Sequence, residues 1–139
     1  MSDLRIERMV YGPRNLVVSA WRDPALLAEW FCPNPSMSVM AELDVTSGGL
    51  WRVLMGTSTV SGTYQEVDLP ERLVFSWHWE HEPDTAPSTV RVTFTERSAD
   101  STEVLLEHLD LANSDEASAH TEGWAITLDR LDQVVRSRA

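Results

Sequence analysis

The segment SWHWEHEP, Ser76 to Pro83, places two histidines, two glutamates and two tryptophans within eight residues. Imidazole nitrogens and carboxylate oxygens at this density could ligate a divalent metal or act as general acid and base. Facing decides whether they can act together, because successive residues of a strand point to opposite sides of a sheet. Read as a strand, RLVFSWHWE puts Leu73, Phe75, Trp77 and Trp79 on one face, and Val74, Ser76, His78 and Glu80 on the other. The four large apolar side chains take the interior, which leaves His78 and Glu80 on the solvated side. His81 then projects away from His78, so the two histidines cannot grip one ion. No metal site is expected, and the tryptophans become the part of the segment to follow.

The same alternation applied to TEVLLEHLDL turns Val104, Leu106 and His108 inward and Glu103 and Glu107 outward. An inward imidazole can orient a ligand's oxygen or move a proton near neutral pH, and it can equally be a core histidine satisfied by its neighbours. His120 precedes Trp124 by one turn on the inward stripe of a last helix, where contact with a ligand or simple packing are both open. Trp30, Trp51, Trp77, Trp79 and Trp124 all point inward by pattern. Each ring brings a large apolar surface and one N–H that needs a partner when buried. Packing alone suits Trp51; the other four can also line a pocket. With Phe75, Phe94, His108 and His120, they form the candidate ligand-contacting set. No catalytic residue is nominated, since no glycine-rich phosphate loop, nucleophile elbow or carboxylate pair is present. Enzyme chemistry is permitted without being announced. No cofactor is expected.

These residues need elements to hold them. LRIERMVY reads as a strand stopped by Gly12-Pro13, and Pro13 suits the first turn of a helix, PRNLVVSAW. Asp23-Pro24 then opens a second helix, ALLAEWF, as N-cap and first helical residue. From Met37 the period becomes two, with Met37, Val39, Ala41, Leu43 and Val45 on one face. LWRVLM, TVSGTYQEV, RLVFSWHWE, TVRVTFTE and TEVLLEHLDL follow as strands, with Val90, Val92 and Phe94 inward. Their short connections require antiparallel pairing. The facing of Tyr64 stays open, because a bulge in its strand would reverse it. From about Asp115 the helical period returns, carrying His120, Trp124, Leu128, Leu131 and Val135 along one stripe. The expectation is an α+β fold in which six or seven antiparallel strands curl around one long C-terminal helix, with residues 1–139 as one domain. A sheet wrapped around a helix can leave a cavity between them, a natural site for an apolar ligand.

Bulk composition narrows the function classes. Apolar residues make up 42% and charged residues 24% of the 139, close to globular averages, and no apolar run is long enough to cross a bilayer. The N-terminus lacks the central apolar block of a secretory signal, and the single cysteine, Cys32, rules out an internal disulfide and suits a reducing compartment. A cytoplasmic location is expected, with Cys32 a packed thiol. A net charge of −11, with eleven scattered Lys and Arg residues, opposes binding to nucleic acid or anionic lipid.

Several motifs, taken in order, resemble one family. YGPRNLVVSAWRDPALLAEWF is similar to the opening of helix-grip, START-like (SRPBCC) proteins, in the branch grouped with the C-terminal domain of the activator of the heat-shock-protein-90 ATPase. Ser47-Gly48-Gly49 followed by Trp51 resembles that branch's GG-x-W hairpin, and GTYQEVDLPERLVFSW resembles its G-x-x-x-E-x-x-P-x-R-L-x-F-x-W run. Ser101-Thr102 with His108, and Gly123-Trp124, resemble the last strand and the last helix. The resemblance covers nearly the whole chain and implies the helix-grip fold with an internal cavity. Relatives include lipid and hormone binders, polyketide cyclases and aromatases, chaperone cofactors and many small bacterial proteins. Binding of a small apolar or aromatic molecule is therefore the leading expectation, and a cyclase-type enzyme using an inward histidine is the alternative. A chaperone partner ranks last, because 139 residues leave no room for the activator's separate N-terminal domain. Val18 stands where many relatives carry an aromatic residue.

Overall fold

The computed structural model describes residues 1–139. Seven strands form one antiparallel sheet in the order β1-β7-β6-β5-β4-β3-β2. In chain order they are β1 (Ser2–Val10), β2 (Val39–Leu43), β3 (Leu50–Met55), β4 (Ser58–Asp68), β5 (Arg72–Trp79), β6 (Ser88–Ser98) and β7 (Ser101–Leu111). Helices α1 (Arg14–Arg22) and α2 (Pro24–Leu27) lie between β1 and β2, and α3 (Ser114–Arg138) ends the chain. The α+β helix-grip architecture expected from the sequence is what the chain adopts.

Local chemistry explains the boundaries. Pro13 is the extended residue that precedes α1, rather than a member of its first turn. Asp23 caps α2, its carboxylate accepting from the backbone N–H groups of Ala25 and Leu26. The second helix is shorter than its apolar spacing suggests. It stops at Leu27, and residues 28–33 continue as turns, with the amides of Glu29 and Trp30 bonding back only three residues, to Leu26 and Leu27. That tightening carries Trp30 and Phe31 into the core. At the start of α3, the Asn113 side chain accepts from the Glu116 N–H at 2.9 Å. Acidic Asp115 and Glu116 sit in the first turn and basic Arg136 and Arg138 in the last, matching the helix dipole.

Alternation fixes which residues meet α3. Leu73, Phe75 and Trp77 of β5, Val90, Val92 and Phe94 of β6, and Val104, Leu106 and His108 of β7 are all buried. Trp124, Leu128, Leu131 and Val135 of α3 oppose them. Twenty-nine residues make one continuous apolar core. A register shift in β4 between Tyr64, paired with Phe75, and Glu66, paired with Val74, settles the facing of the tyrosine. Tyr64 is buried, and Glu66 reaches the surface to pair with Arg72. Val18 packs in the core. Two glycines mark close approaches. A Cβ on Gly62 would fall 2.0 Å from the Ser76 carbonyl oxygen, and one on Gly49 would fall 2.1 Å from that of Asp44.

Candidate functional site

The outward half of SWHWEHEP is occupied by surface pairing. Glu80 takes a two-pronged hydrogen bond from the Arg52 guanidinium, at 2.9 and 3.0 Å, and this contact holds its carboxyl below the ordinary range. His78 lies beside Ser61 of β4. β5 ends at Trp79, so His81 sits in the following turn, exposed. No group of three or more His, Cys, Asp and Glu side chains is arranged to hold a metal ion.

The inward half opens onto a pocket. A cavity of about 360 Å³ lies where the first half of α3 passes the ends of β5 and β3 and the turns after α2. Trp77 and Trp79 form one wall, with Ala119, His120, Gly123, Trp124 and Thr127 of α3 opposite. Phe31, Cys32, Pro33 and Asn34, with Met37, Met55 and Ser58, complete the lining. None of these side chains is a carboxylate, an ammonium or a guanidinium, so the walls offer apolar contact with a few polar atoms, as ligand pockets commonly do. Phe31, Met37 and Met55 were not among the ligand-contacting candidates; they converge on the pocket from separate segments, Phe31 and Met55 buried and Met37, just ahead of β2, partly exposed.

Of the eight sequence candidates, Trp77, Trp79, His120 and Trp124 line this pocket. Trp30, Phe75, Phe94 and His108 do not; all four are buried behind it. Trp30 donates its indole N–H to the Ala20 carbonyl at 3.1 Å and packs edge-on against Trp21, with centroids 4.7 Å apart. Trp21, unremarked in the sequence, sits at the centre of the aromatic cluster, within reach of Phe31, Phe75, Phe94 and Trp124. Phe75 contacts Trp51 and Tyr64. The indole nitrogens of Trp21 and Trp77 are buried without an oxygen partner.

His108 is held by a chain of hydrogen bonds. The indole N–H of Trp124 donates to its Nδ1 at 3.1 Å, which leaves the ring proton on Nε2. Nε2 donates to Ser88 Oγ at 2.7 Å, and the Ser88 hydroxyl donates to the Trp77 carbonyl at 3.4 Å. Burial, and secondarily the neighbouring His120, push its pKa down to about 3. The imidazole is therefore neutral, fully used and enclosed. It fixes the indole of Trp124 to the strand that carries Trp77, as a positioning residue behind the pocket wall. His120 stands in front, its ring 4.8 Å from that of His108 and 6.0 Å from that of Trp77.

Below Trp77 and Trp79 lies a second, smaller cavity of about 110 Å³, which shares His120 and is lined by Glu82, Asp110 and Glu116. Arg130 of α3 bonds the carbonyls of Cys32 and Glu29 and pins residues 29–32 against the helix.

A sheet closed around one long helix, with an aromatic pocket at the open end of the grip, defines a helix-grip protein of the START-like class. The chain belongs, more narrowly, to the family described as activator of Hsp90 ATPase homolog 1-like protein, whose sequence profile matches residues 12–136. Among solved structures, the AHSA1 protein from Silicibacter pomeroyi superposes with a TM-score of 0.83 at 24% identity, over 99% of this chain and 100% of that one. An Hsp90 activator from Plasmodium falciparum gives a TM-score of 0.66 at 23% identity, over 80% of this chain and 74% of that one. DynU16, from the dynemicin biosynthetic locus, gives 0.78 at 21% identity, over 98% of this chain and 48% of that one. At these identities the likeness is one of fold. No curated protein matches the sequence.

Proposed function

We propose that the protein, acting as one helix-grip unit, binds a small apolar or aromatic molecule in the pocket between β5 and α3. One observation carries this reading: a cavity of about 360 Å³ walled by three tryptophans and containing no charged side chain. Such walls gain free energy by removing flat apolar surface from water, at about 25 cal/mol per Å². The reading goes with a cytoplasmic location, since the single cysteine is free and suits a reducing compartment. The test is a titration of the purified protein with N-phenyl-1-naphthylamine, following tryptophan emission. Saturable quenching with a dissociation constant on the order of ten micromolar is expected. A strictly linear, unsaturable response removes the proposal.

Of the two inward histidines weighed for proton transfer, His108 has both ring nitrogens occupied and does not line the pocket. A cyclase-type reaction would therefore have to use His120, which does line it. A chaperone-associated role has its support in the family description and in the Hsp90 activator among the structural neighbours. The acidic surface would carry such an interaction, which should then weaken as salt is raised. Pull-down with purified Hsp90 at two ionic strengths tests it, and no retention at low salt rejects it.

A further inference from the structure

We propose that the pocket selects aromatic molecules bearing a hydroxyl group, whose O–H donates to Nε2 of His120. This inference rests on the ligand-binding reading above and names the class of ligand.

The argument starts from what His120 already bonds. Its Nδ1 lies 3.0 Å from the backbone oxygen of Glu116, one turn earlier on α3. A carbonyl oxygen only accepts, so Nδ1 carries a proton, and in the uncharged form of the ring the lone pair is then on Nε2. No protein group donates to that lone pair. Edge-to-face packing on His108, at 72°, and on Trp77, at 80°, holds the ring in one orientation. The acceptor is thus fixed in place before a ligand arrives.

Among the other polar groups of the lining, the hydroxyls of Ser58 and Thr127 can donate as well as accept, so neither is a dedicated acceptor. Asn34 turns its side-chain oxygen to the Ser36 N–H, and the Cys32 sulfur lies 3.9 Å from that of Met37. His108, behind the lining, is closed off by Ser88 and Trp124. An unused acceptor in an apolar wall discriminates in a definite direction. A hydrocarbon filling the pocket strips water from Nε2 and returns nothing, whereas a hydroxyl on the same ring system restores the bond.

The test compares 2-naphthol with 2-methylnaphthalene, which replaces the hydroxyl by a methyl group of similar size. Their affinities are read by displacement of N-phenyl-1-naphthylamine at pH 8, in the wild type and in His120→Phe, His120→Leu and His120→Gln. The quantity of interest is the change in the ratio of the two affinities from wild type to variant, in which the difference in hydrophobicity between the probes cancels. The ratio should fall about tenfold, away from naphthol, in His120→Phe and His120→Leu, and recover in part in His120→Gln, whose amide oxygen accepts. Using two apolar replacements frees the result from the folding of either one. The same ratio in all four proteins overturns the inference while leaving the pocket intact. Failure of both probes to bind the wild type overturns the pocket reading and this inference with it.

Discussion

The indole N–H of Trp124 donates to Nδ1 of His108 across 3.1 Å and joins the long helix to the last strand inside the core. This bond divides the two inward histidines by role. His108 is committed to holding Trp124 and, through Ser88, the strand that carries Trp77. His120, in contact with it, faces the pocket with one nitrogen unused.

Removing His108 should cost stability first. His108→Ala leaves the Trp124 N–H buried without a partner, deprives Ser88 Oγ of its donor and opens a void among aromatic rings. A loss of about 3 kcal/mol is expected. Urea denaturation measures it, and a loss below about 1 kcal/mol would contradict the network.

Acid should destabilise the fold through the same residue. Folded His108 titrates down at about 3, because burial and His120 disfavour its charge, whereas an unfolded histidine titrates near 6.5. Above pH 6.5 both states are neutral and this contribution is fully present. As pH falls below 6.5 the unfolded chain takes up a proton that the folded chain refuses, and stability declines until about pH 3. The total is on the order of 5 kcal/mol. Glu80 and Glu107, held low by Arg52 and Arg91, add their own losses only below the ordinary carboxylate value of 4.5. Denaturation midpoints between pH 6.5 and 4.5 therefore isolate the histidine, and His108→Leu should flatten the profile in that window.

Filling the pocket from α3 should separate binding from folding. Gly123 lines the cavity, and a Cβ there would meet nothing nearer than Pro33 Cγ at 4.0 Å. Gly123→Leu replaces a poor helix former, with a gain of up to about 1 kcal/mol, while its side chain occupies ligand space. Thermal unfolding should show a protein at least as stable as the wild type, and N-phenyl-1-naphthylamine should no longer saturate.

Two tryptophans should respond oppositely to truncation. Trp79 is half-buried at the pocket rim, so Trp79→Ala should weaken probe binding several-fold with a stability change near 1 kcal/mol. Trp30 is enclosed and bonded to Ala20, and Trp30→Ala should cost about 3–5 kcal/mol. Paired denaturation and probe titration of the two variants distinguish rim from core.

Face was legible in the sequence; depth was not. Period two turned Phe75, Trp77, Trp79, Phe94 and His108 inward, but it says nothing of where along a strand the sheet and helix part. On β5 the change comes between Phe75, in the solid core, and Trp77, at the pocket. The ambiguity of His108 could not be resolved from local pattern, because its partners Ser88 and Trp124 are brought to it from another strand and from α3. Trp21 escaped notice on a short helix, where two turns give little periodicity to read. Tyr64 depended on a bulge that spacing alone does not reveal.

The most direct measurement is a nitrogen-15 NMR titration with N-phenyl-1-naphthylamine that follows the six indole N–H signals. Ligand in the pocket should shift the signals of Trp77, Trp79 and Trp124 in a saturable way and leave Trp30, bonded to Ala20 behind the wall, nearly fixed. Unchanged signals throughout, or shifts confined to backbone amides on the outer face of the sheet, would contradict a binding site between β5 and α3.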